Sequence, residues 1–135
     1  MHIVYLGLGS NLGNRCSILE EAISNIDRRI GKVLRQSSFM ETEPWGFDSP
    51  NKFLNACVCV QTTLFPRQVM KITQDIEKDM GRVHKTTNGK YTDRIIDIDI
   101  LLYDNLQIDE PDLKIPHPLM EEREFVMIPL REILK

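Results

Sequence analysis

The chain has 135 residues, 41% of them hydrophobic and 27% charged, with a net charge of −3. These values fit one globular domain and exclude collagen-like, low-complexity and disordered chains, and the negative charge disfavours a general nucleic-acid or membrane-surface binder. The three cysteines disfavour a secreted disulfide framework, and no apolar stretch reaches the ~18 residues that cross a bilayer. We expect a single domain over residues 1–135, acting in the cytoplasm with neither nucleic acid nor a membrane as partner.

The first part of the chain predicts a strand, a helix and a second strand. Ile3–Leu8 is rich in β-forming residues, and the turn cluster Gly9–Asn14 follows it. Apolar residues recur at helical spacing over residues 18–30, and Gly31 marks the end of that helix. Lys32–Thr42 predicts one continuous strand.

The middle of the chain alternates long loops with regular elements. Glu43–Lys52 contains prolines, glycine and asparagine and predicts a loop of a length that is often functional. Phe53–Leu64 predicts a third strand, and Pro66 begins a second helix that Gly81 ends. A second loop then leads into a fourth strand, Arg94–Tyr103.

The last third predicts short elements. Leu106–Ile108 is expected to pair back as a hairpin arm, Ile115–Pro118 is extended, and a short helix precedes the closing segment Pro129–Leu134. The order of elements predicts an α+β fold with a ferredoxin-like βαββαβ core, an antiparallel sheet with helices packed on it, and extra C-terminal elements. This fold hosts many functions, so function depends on the site.

The segment Arg94–Leu102 carries the sharpest chemical pattern. Side chains alternate along a strand, so Asp97 and Asp99 point to one face, about 7 Å apart. The other face is predicted to hold the apolar side chains Ile96, Ile98, Ile100 and Leu102. Adjacent carboxylates repel unless a cation lies near them, and a donor set of oxygens alone suits Mg²⁺. The pattern favours a metal site over two solvated acids, which remain the alternative.

A basic cluster precedes this strand. Its members are Arg82, Lys85, Lys90 and Arg94, with Asp93 opposing them and His84 as a further donor. Basic groups on a loop beside a metal-binding pair favour a polyphosphate site. Taken alone, the same loop would simply be solvated.

An aromatic and amide cluster lies around the first long loop. Trp45 and Phe47 lie within the loop, and Phe53 alternates with Asn55 on the strand that follows. An aromatic clamp with an amide that both donates and accepts suits a flat heterocycle. A loop pinned by its own aromatic residues is an equal alternative.

Two further motifs are more simply structural. Gly7–Gly13 has glycines at spacings that match neither a dinucleotide fingerprint nor a phosphate-binding loop, which favours a tight turn from strand to helix. His117 lies between Pro116 and Pro118, where it is either a phosphate donor or a turn residue.

Together these segments resemble the 6-hydroxymethyl-7,8-dihydropterin pyrophosphokinase family. The matching motifs, in order, are Leu8–Gly13, Thr42–Gly46, Phe53–Ala56, Glu77 with Gly81 and Arg82, Arg94–Leu101, and Ile115–Pro118 with Arg123 and Phe125. The resemblance implies a Mg²⁺-dependent enzyme of folate biosynthesis. It would transfer diphosphate from ATP to the pterin hydroxymethyl group and release AMP, using two Mg²⁺ ions. We expect a monomer.

The resemblance also implies roles for individual residues. Asp97 and Asp99 would hold both metal ions, and they would form the catalytic set together with Arg82 and Arg94. The pterin would be bound by Thr42, Trp45, Phe53, Asn55 and Phe125, with the two phenylalanines stacking on its faces. ATP would be bound by Glu77, Arg82, His84, Tyr91, Arg94, Ile100, His117 and Arg123. Gly9, Ser10 and Asn11 would form a supporting turn.

The chain departs from the family pattern at two positions. His84 replaces a frequent arginine, and a neutral imidazole is no substitute for a permanent guanidinium charge. Tyr91 replaces a frequent tryptophan and is expected to keep its packing role.

Two other functions compete with this interpretation. A different Mg²⁺-dependent transferase or phosphohydrolase would use the same aspartates without needing the aromatic clamp. An RNA-binding sheet would need aromatic residues on its central strands, where this chain has aliphatic and acidic ones. Replacing either aspartate would abolish turnover in the first case and leave RNA binding intact in the second.

Overall fold

The computed structural model of the chain describes residues 1–81 and 93–134, and a five-stranded antiparallel sheet forms its centre. The strands are β1 (His2–Ser10), β2 (Lys32–Gln36), β3 (Met40–Thr42), β4 (Phe53–Thr62) and β5 (Asp97–Tyr103). Their order is β2-β4-β1-β5, and β3 pairs with β4 beyond the end of β2. With β2 and β3 counted as one interrupted strand, this is the predicted ferredoxin-like order, which is confirmed.

Helices cover both faces of this sheet. The helices are α1 (Arg15–Arg29), α2 (Pro66–Asp79) and α3 (Glu124–Ile133). The first two pack on one face, and α3 packs on the opposite face against β3 and β4. A hairpin of β6 (Ile108–Glu110) and β7 (Leu113–Ile115), then a 3-10 helix over Met120–Glu122, lead into α3. Within the described ranges, no helix has the length and apolar character needed to cross a membrane.

The two faces of the sheet carry separate apolar clusters. Leu6, Leu8 and Ile98 lie on the face under α1 and α2, where they are almost fully buried. Cys57 and Cys59 lie on the α3 face and are each 1% exposed, whereas Cys16 is exposed on α1. Burial raises the pKa of the Cys57 thiol to about 12, so this side chain behaves as a small uncharged core residue at neutral pH.

The helix α1 begins and ends where its sequence indicates. The Asn14 side chain accepts a hydrogen bond from the backbone N–H of Ser17 at 3.2 Å, which caps the first turn. At the other end, Gly31 passes so close to β4 that a Cβ atom there would lie 2.1 Å from the carbonyl oxygen of Gln61. Only glycine fits this approach, because a backbone carbonyl in a central strand has little room to move.

Replacing Gly31 with alanine is therefore expected to destabilise the protein by about 3 kcal/mol or more. The loss should appear as a fall of roughly 10 °C in Tm by thermal denaturation. The exposed neighbour Lys32→Ala on β2 is the control, with an expected change within about 0.5 kcal/mol. A Gly31→Ala protein that melts with the wild type would show that the chain relaxes around the methyl group.

Two observed elements differ from the predicted ones, the first because of a side-chain hydrogen bond and the second because of its pairing partner. The strand predicted over Lys32–Thr42 is split into β2 and β3 at Ser37, whose hydroxyl accepts a hydrogen bond from the Cys57 N–H at 2.9 Å. A side chain thus takes the place of a backbone acceptor in the ladder. The predicted arm Leu106–Ile108 does not pair back, because Ile108 pairs forward with Ile115 and both pack against the core under α2.

The fourth predicted strand also starts later and changes face near its end. Arg94 lies before β5 and pairs with Asn11 instead of with a strand neighbour. Its N–H donates to the Asn11 side-chain oxygen at 2.7 Å, and its carbonyl accepts from the Asn11 N–H at 3.1 Å. A register shift opposite Tyr5 and Leu6 inserts an extra residue in β5, so Leu102 packs with the α3-face cluster. The prediction that Leu102 shares a face with Ile98 is therefore wrong, because a bulge reverses the alternation.

Candidate active site

Two rows of side chains cross the α3 face of the sheet and converge on the glycines of β1. In the first row Gly9 pairs with Asn55 of β4 on one side and with Asp97 of β5 on the other. In the second row, Gly7 pairs in the same way with Cys57 and Asp99. Partners in antiparallel strands point to the same face, so each row forms a shallow trough with a glycine at its lowest point.

A cavity of about 330 Å³ opens above this trough. Its floor is the two rows, and its walls come from the segment after β3, from Arg94, and from residues 117–126. The volume is in the range of small-molecule sites. One partly open cavity therefore contains both the carboxylate pair and the aromatic and amide cluster that the sequence placed in separate motifs.

The carboxylates of Asp97 and Asp99 both line this cavity, as alternation along β5 predicts. The Arg94 Nε atom lies 3.7 Å from an oxygen of Asp97, whose side chain is 24% exposed. Among the described residues, no group of three or more His, Cys, Asp or Glu side chains is positioned to hold a metal ion. Two carboxylates facing an open cavity nonetheless fit Mg²⁺, which takes its remaining ligands from water and phosphate oxygens.

Glu77 fixes the outer edge of β5 between the two aspartates. Its side chain is 3% exposed, and a carboxylate oxygen accepts a hydrogen bond from the Ile98 N–H at 2.8 Å. That N–H belongs to the edge strand, so the glutamate supplies an acceptor that no further strand provides. It therefore holds in place the stretch of backbone that carries both aspartates.

Asn55 is a buried amide whose donors are used within the protein. Its Nδ2 atom donates to the Thr42 hydroxyl at 2.8 Å and to the Met40 carbonyl at 3.2 Å. The Asn55 amide oxygen points toward Gly9: a Cβ atom added to Gly9 would lie 3.2 Å from this oxygen. The side chain thus presents an acceptor to the cavity, in an orientation fixed from behind.

The Arg94 guanidinium is held between aromatic rings. Its Cζ atom lies 5.0 Å from the centre of the Phe53 ring and 5.9 Å from that of Phe47, and the two rings meet edge to face. The side chain is 9% exposed. Cation–π contacts in a desolvated setting hold the positive charge beside Asp97 rather than leaving it free to move with solvent.

A second arginine forms a similar stack on the other wall. The Arg123 guanidinium lies 4.4 Å from the centre of the Trp45 ring and 5.7 Å from that of Phe125. Arg123 is 6% exposed and precedes α3 directly. The loop tryptophan is therefore tied to the α3 side of the cavity, which brings together residues far apart in the sequence.

A polar network joins the loop after β3 to the segment that precedes β5. Asp93 accepts hydrogen bonds from the side chains of Asn11 at 2.7 Å and Asn51 at 3.0 Å. Partial burial raises the pKa of Asp93, but hydrogen bonds from Ser49, Asn11 and Asn51 outweigh this and bring it below its usual value. The carboxylate therefore holds the loop while it remains ionised, and acidification through its lowered pKa would weaken that connection.

His117 has a defined orientation at the cavity wall. It follows Pro116, whose bond to Ile115 is cis, and its N–H donates to the Leu101 carbonyl at 3.0 Å. The Nδ1 atom accepts a hydrogen bond from the Leu119 N–H at 3.3 Å, so in the neutral ring the Nε2 atom carries the hydrogen. The imidazole is thereby oriented as a donor.

The cavity brings together most of the candidate residues. Those that line it are Thr42, Trp45, Phe53, Asn55, Arg94, Asp97, Asp99, His117, Arg123 and Phe125. Glu77 and Ile100 lie behind the floor, Ile100 within the core cluster under α1 and α2. Arg82, His84 and Tyr91, with the rest of the basic cluster before Asp93, lie outside the described residues.

Several lining residues were not singled out from the sequence for this site, among them Cys57, Leu101, Leu119 and Val126. Gly9 was interpreted as part of a turn and Gly7 as part of the first strand, but both lie within β1 and form the cavity floor. Their spacing of two residues is the signal that could have shown this, since alternate glycines leave one face of a strand bare.

The comparisons with known proteins agree with this geometry. A family model described as 7,8-dihydro-6-hydroxymethylpterin-pyrophosphokinase matches residues 5–135. A Porphyromonas gingivalis protein named 2-amino-4-hydroxy-6-hydroxymethyldihydropteridine pyrophosphokinase is 49% identical over 134 residues, covering 98% of this chain and 91% of that protein. An Aquifex aeolicus protein of the same name is 39% identical over 133 residues, covering 98% and 81%.

Solved structures agree at the level of the fold. A crystal structure titled HPPK-DHPS in complex with substrates matches with a TM-score of 0.81 at 17% identity, covering 98% of this chain and 40% of that one. The wild-type HPPK-DHPS of Plasmodium falciparum matches with a TM-score of 0.76 at 18% identity, covering 98% and 38%. The chain thus spans about two fifths of these longer proteins.

Proposed function

The chain belongs to the 7,8-dihydro-6-hydroxymethylpterin-pyrophosphokinase family, and from this membership we propose how its cavity carries out the reaction. The activity is pyrophosphoryl transfer in folate biosynthesis, with ATP as co-substrate and hydroxymethyldihydropterin as acceptor. The observation that carries the assignment to this cavity is the row Asn55–Gly9–Asp97. This row places the amide oxygen of Asn55, which would accept a hydrogen bond from the heterocycle, and the carboxylate of Asp97, which would face the phosphates, on the floor of one sheet.

Asp97 and Asp99 would hold two Mg²⁺ ions against the ATP phosphates. Their support is the shared face on β5 and the open cavity above them, which leaves room for phosphate and water ligands. When bound, Mg²⁺ neutralises phosphate oxygens and makes the β-phosphorus more electrophilic. The task of this chain is to keep both carboxylates at fixed positions, which Glu77 supports by its hydrogen bond to the strand between them.

Arginine side chains neutralise the transferring phosphates, and further donors bind the rest of ATP. Arg94 and Arg82 act on the diphosphoryl group, and His117 and Arg123 bind the phosphates or ribose of ATP. The fixed guanidinium of Arg94 beside Asp97 supports its part in this set. The family resemblance supports the remaining nucleotide contacts, those of Glu77, His84, Tyr91 and Ile100, of which Glu77 and Ile100 lie behind the cavity floor rather than in its lining.

The pterin occupies the aromatic end of the cavity. Phe53 and Phe125 stack on the heterocycle, and the Asn55 amide oxygen accepts a hydrogen bond from its edge. Thr42 and Trp45 complete the rim, and Thr42 also holds the Asn55 amide in its orientation. The hydroxymethyl oxygen would attack the β-phosphorus and form a new P–O bond, while the bond from that phosphorus to the α,β-bridging oxygen breaks, AMP leaves and the hydroxyl proton passes to solvent.

We assign these steps to a single domain that works as a monomer in the cytoplasm. One sheet carries the floor, and its own loops and α3 supply the described walls, which supports the single domain and the monomer. Two unpaired cysteines, Cys57 and Cys59, lie two residues apart in β4, as is usual in a reducing compartment.

The test is AMP formation from ATP, with and without 6-hydroxymethyl-7,8-dihydropterin, in Mg²⁺ and in EDTA. The expected result is AMP in the presence of both pterin and Mg²⁺, and none when either is withheld. If ADP or free phosphate formed instead, or AMP formed without pterin, the aspartates would belong to another phosphoryl-transfer reaction.

A further inference from the structure

Gly9 occupies the lowest point between the two ends of the site. It pairs directly with Asn55 in β4 and with Asp97 in β5, so these three residues form one row across adjacent strands. Adjacent strands lie about 4.8 Å apart, which separates the Asn55 and Asp97 backbones by about 10 Å. A flat bicyclic ligand that reaches both residues must pass over Gly9.

The space above Gly9 is narrow on the Asn55 side. A Cβ atom at this position would lie 3.2 Å from the Asn55 amide oxygen and 3.4 Å from the Phe53 ring. Both neighbours are held in place, since the Asn55 amide donates to Met40 and Thr42, and the Phe53 ring is 7% exposed. A methyl group would therefore take space that the ligand needs and crowd the one acceptor atom that Asn55 offers.

We propose that Gly9 is a specificity-determining residue for the heterocycle, an inference that rests on the proposed function. Its missing side chain lets the hydrogen-bonding edge of the pterin reach the Asn55 oxygen while the ring stays stacked between Phe53 and Phe125. The atoms nearest to a Cβ at Gly9 belong to Asn55 and Phe53 and not to Asp97, so the nucleotide end of the cavity is not expected to depend on this gap. Gly9 thus sets pterin affinity separately from ATP affinity.

Gly7 provides a matched comparison on the same strand and face. A Cβ atom there would meet the Leu101 side chain at 3.3 to 3.5 Å, and no atom of Asn55 or Phe53 is among its nearest neighbours. A methyl group added at Gly7 takes up the same volume as one added at Gly9, but it lies in the row that contains Asp99. The two alanine variants therefore separate a specific role of Gly9 from a general effect of β1 substitution.

The experiment measures the Kd of 6-hydroxymethyl-7,8-dihydropterin, with Mg²⁺ and a non-hydrolysable ATP analogue present, for the wild type, Gly9→Ala and Gly7→Ala. Gly9→Ala is expected to raise the pterin Kd by about tenfold or more and Gly7→Ala by about threefold at most. The Kd of the ATP analogue alone should stay within about twofold of the wild type in Gly9→Ala. Equal effects of the two variants on the pterin Kd, or none, would overturn the inference.

A second measurement uses the unaltered protein, in case Gly9→Ala fails to fold. With ¹³C-labelled glycine, nuclear Overhauser contacts from the Gly9 Hα protons to the bound pterin are expected, and their absence would contradict the inference. If the wild type bound the pterin and converted it to product, but neither the Kd difference between the variants nor the contacts from Gly9 were observed, only the role of Gly9 would be refuted. A wild type that neither bound nor used the pterin would refute the proposed function as well.

Discussion

Asp97→Asn and Asp99→Asn are each expected to lower kcat for AMP formation by roughly a thousandfold. Asparagine keeps the shape of the side chain and removes its charge, so the cavity keeps its form while its affinity for a divalent cation falls. The two carboxylates share one face of β5, and the described residues offer no further cluster of acidic or histidine ligands to replace them. Initial-rate measurements over a range of Mg²⁺ concentrations would show the loss and its dependence on the metal.

The control for this pair is Asp109→Asn. Asp109 lies in β6, is 89% exposed at its side chain, and pairs with Lys114 outside the cavity. Its replacement should leave kcat unchanged, and the melting temperatures of all three variants should stay near that of the wild type. Turnover by Asp97→Asn or Asp99→Asn at the wild-type rate would exclude a metal-binding role for that carboxylate.

Arg94→Ala is expected to reduce kcat by about a hundredfold to a thousandfold, and Arg94→Lys is expected to restore little of it. The reason is geometric as well as electrostatic, because the planar guanidinium lies against the Phe53 and Phe47 rings and points its charge at Asp97. A lysine ammonium cannot make both contacts. The measurement is kcat and the KM for each substrate, with the larger effect expected in kcat.

Arg67→Lys serves as the comparison for this substitution. Arg67 is half exposed at its side chain and binds Glu110 and Asp112 on the hairpin, so its replacement should leave kcat within about twofold of the wild type. If Arg94→Lys retained full activity, a charge alone at this position would suffice. The stacking of the guanidinium on the two rings would then have no catalytic consequence.

Local patterns in the sequence were sufficient for much of this site. Period-two alternation placed Asp97 and Asp99 on one face, because neighbouring residues alone determine which way a strand side chain points. Asn55 and Phe53 were paired by the same rule, and both line the cavity. The order of helices and strands likewise follows from local periodicity, and it predicted the α+β core.

Other features depend on contacts between distant segments. The bulge that turns Leu102 to the α3 face arises from the pairing of β5 with β1, which no spacing within β5 reveals. The interruption at Ser37 depends on a hydrogen bond from Cys57. The stack of Arg123 on Trp45 joins two residues that are 78 positions apart in the sequence. Such features follow from tertiary packing and override local propensity.

The distribution of the cysteines has a practical consequence for spectroscopy. Cys57 and Cys59 are buried in the sheet, so a thiol-reactive dye added to the native protein should attach at Cys16 alone. The preceding residue, Arg15, donates to the Lys52 carbonyl at 2.8 Å and to Glu41 at 2.7 Å, on the segments that flank the Trp45 loop. A fluorophore at Cys16 would therefore report movement of that loop from outside the cavity, in the natural sequence and without an engineered cysteine.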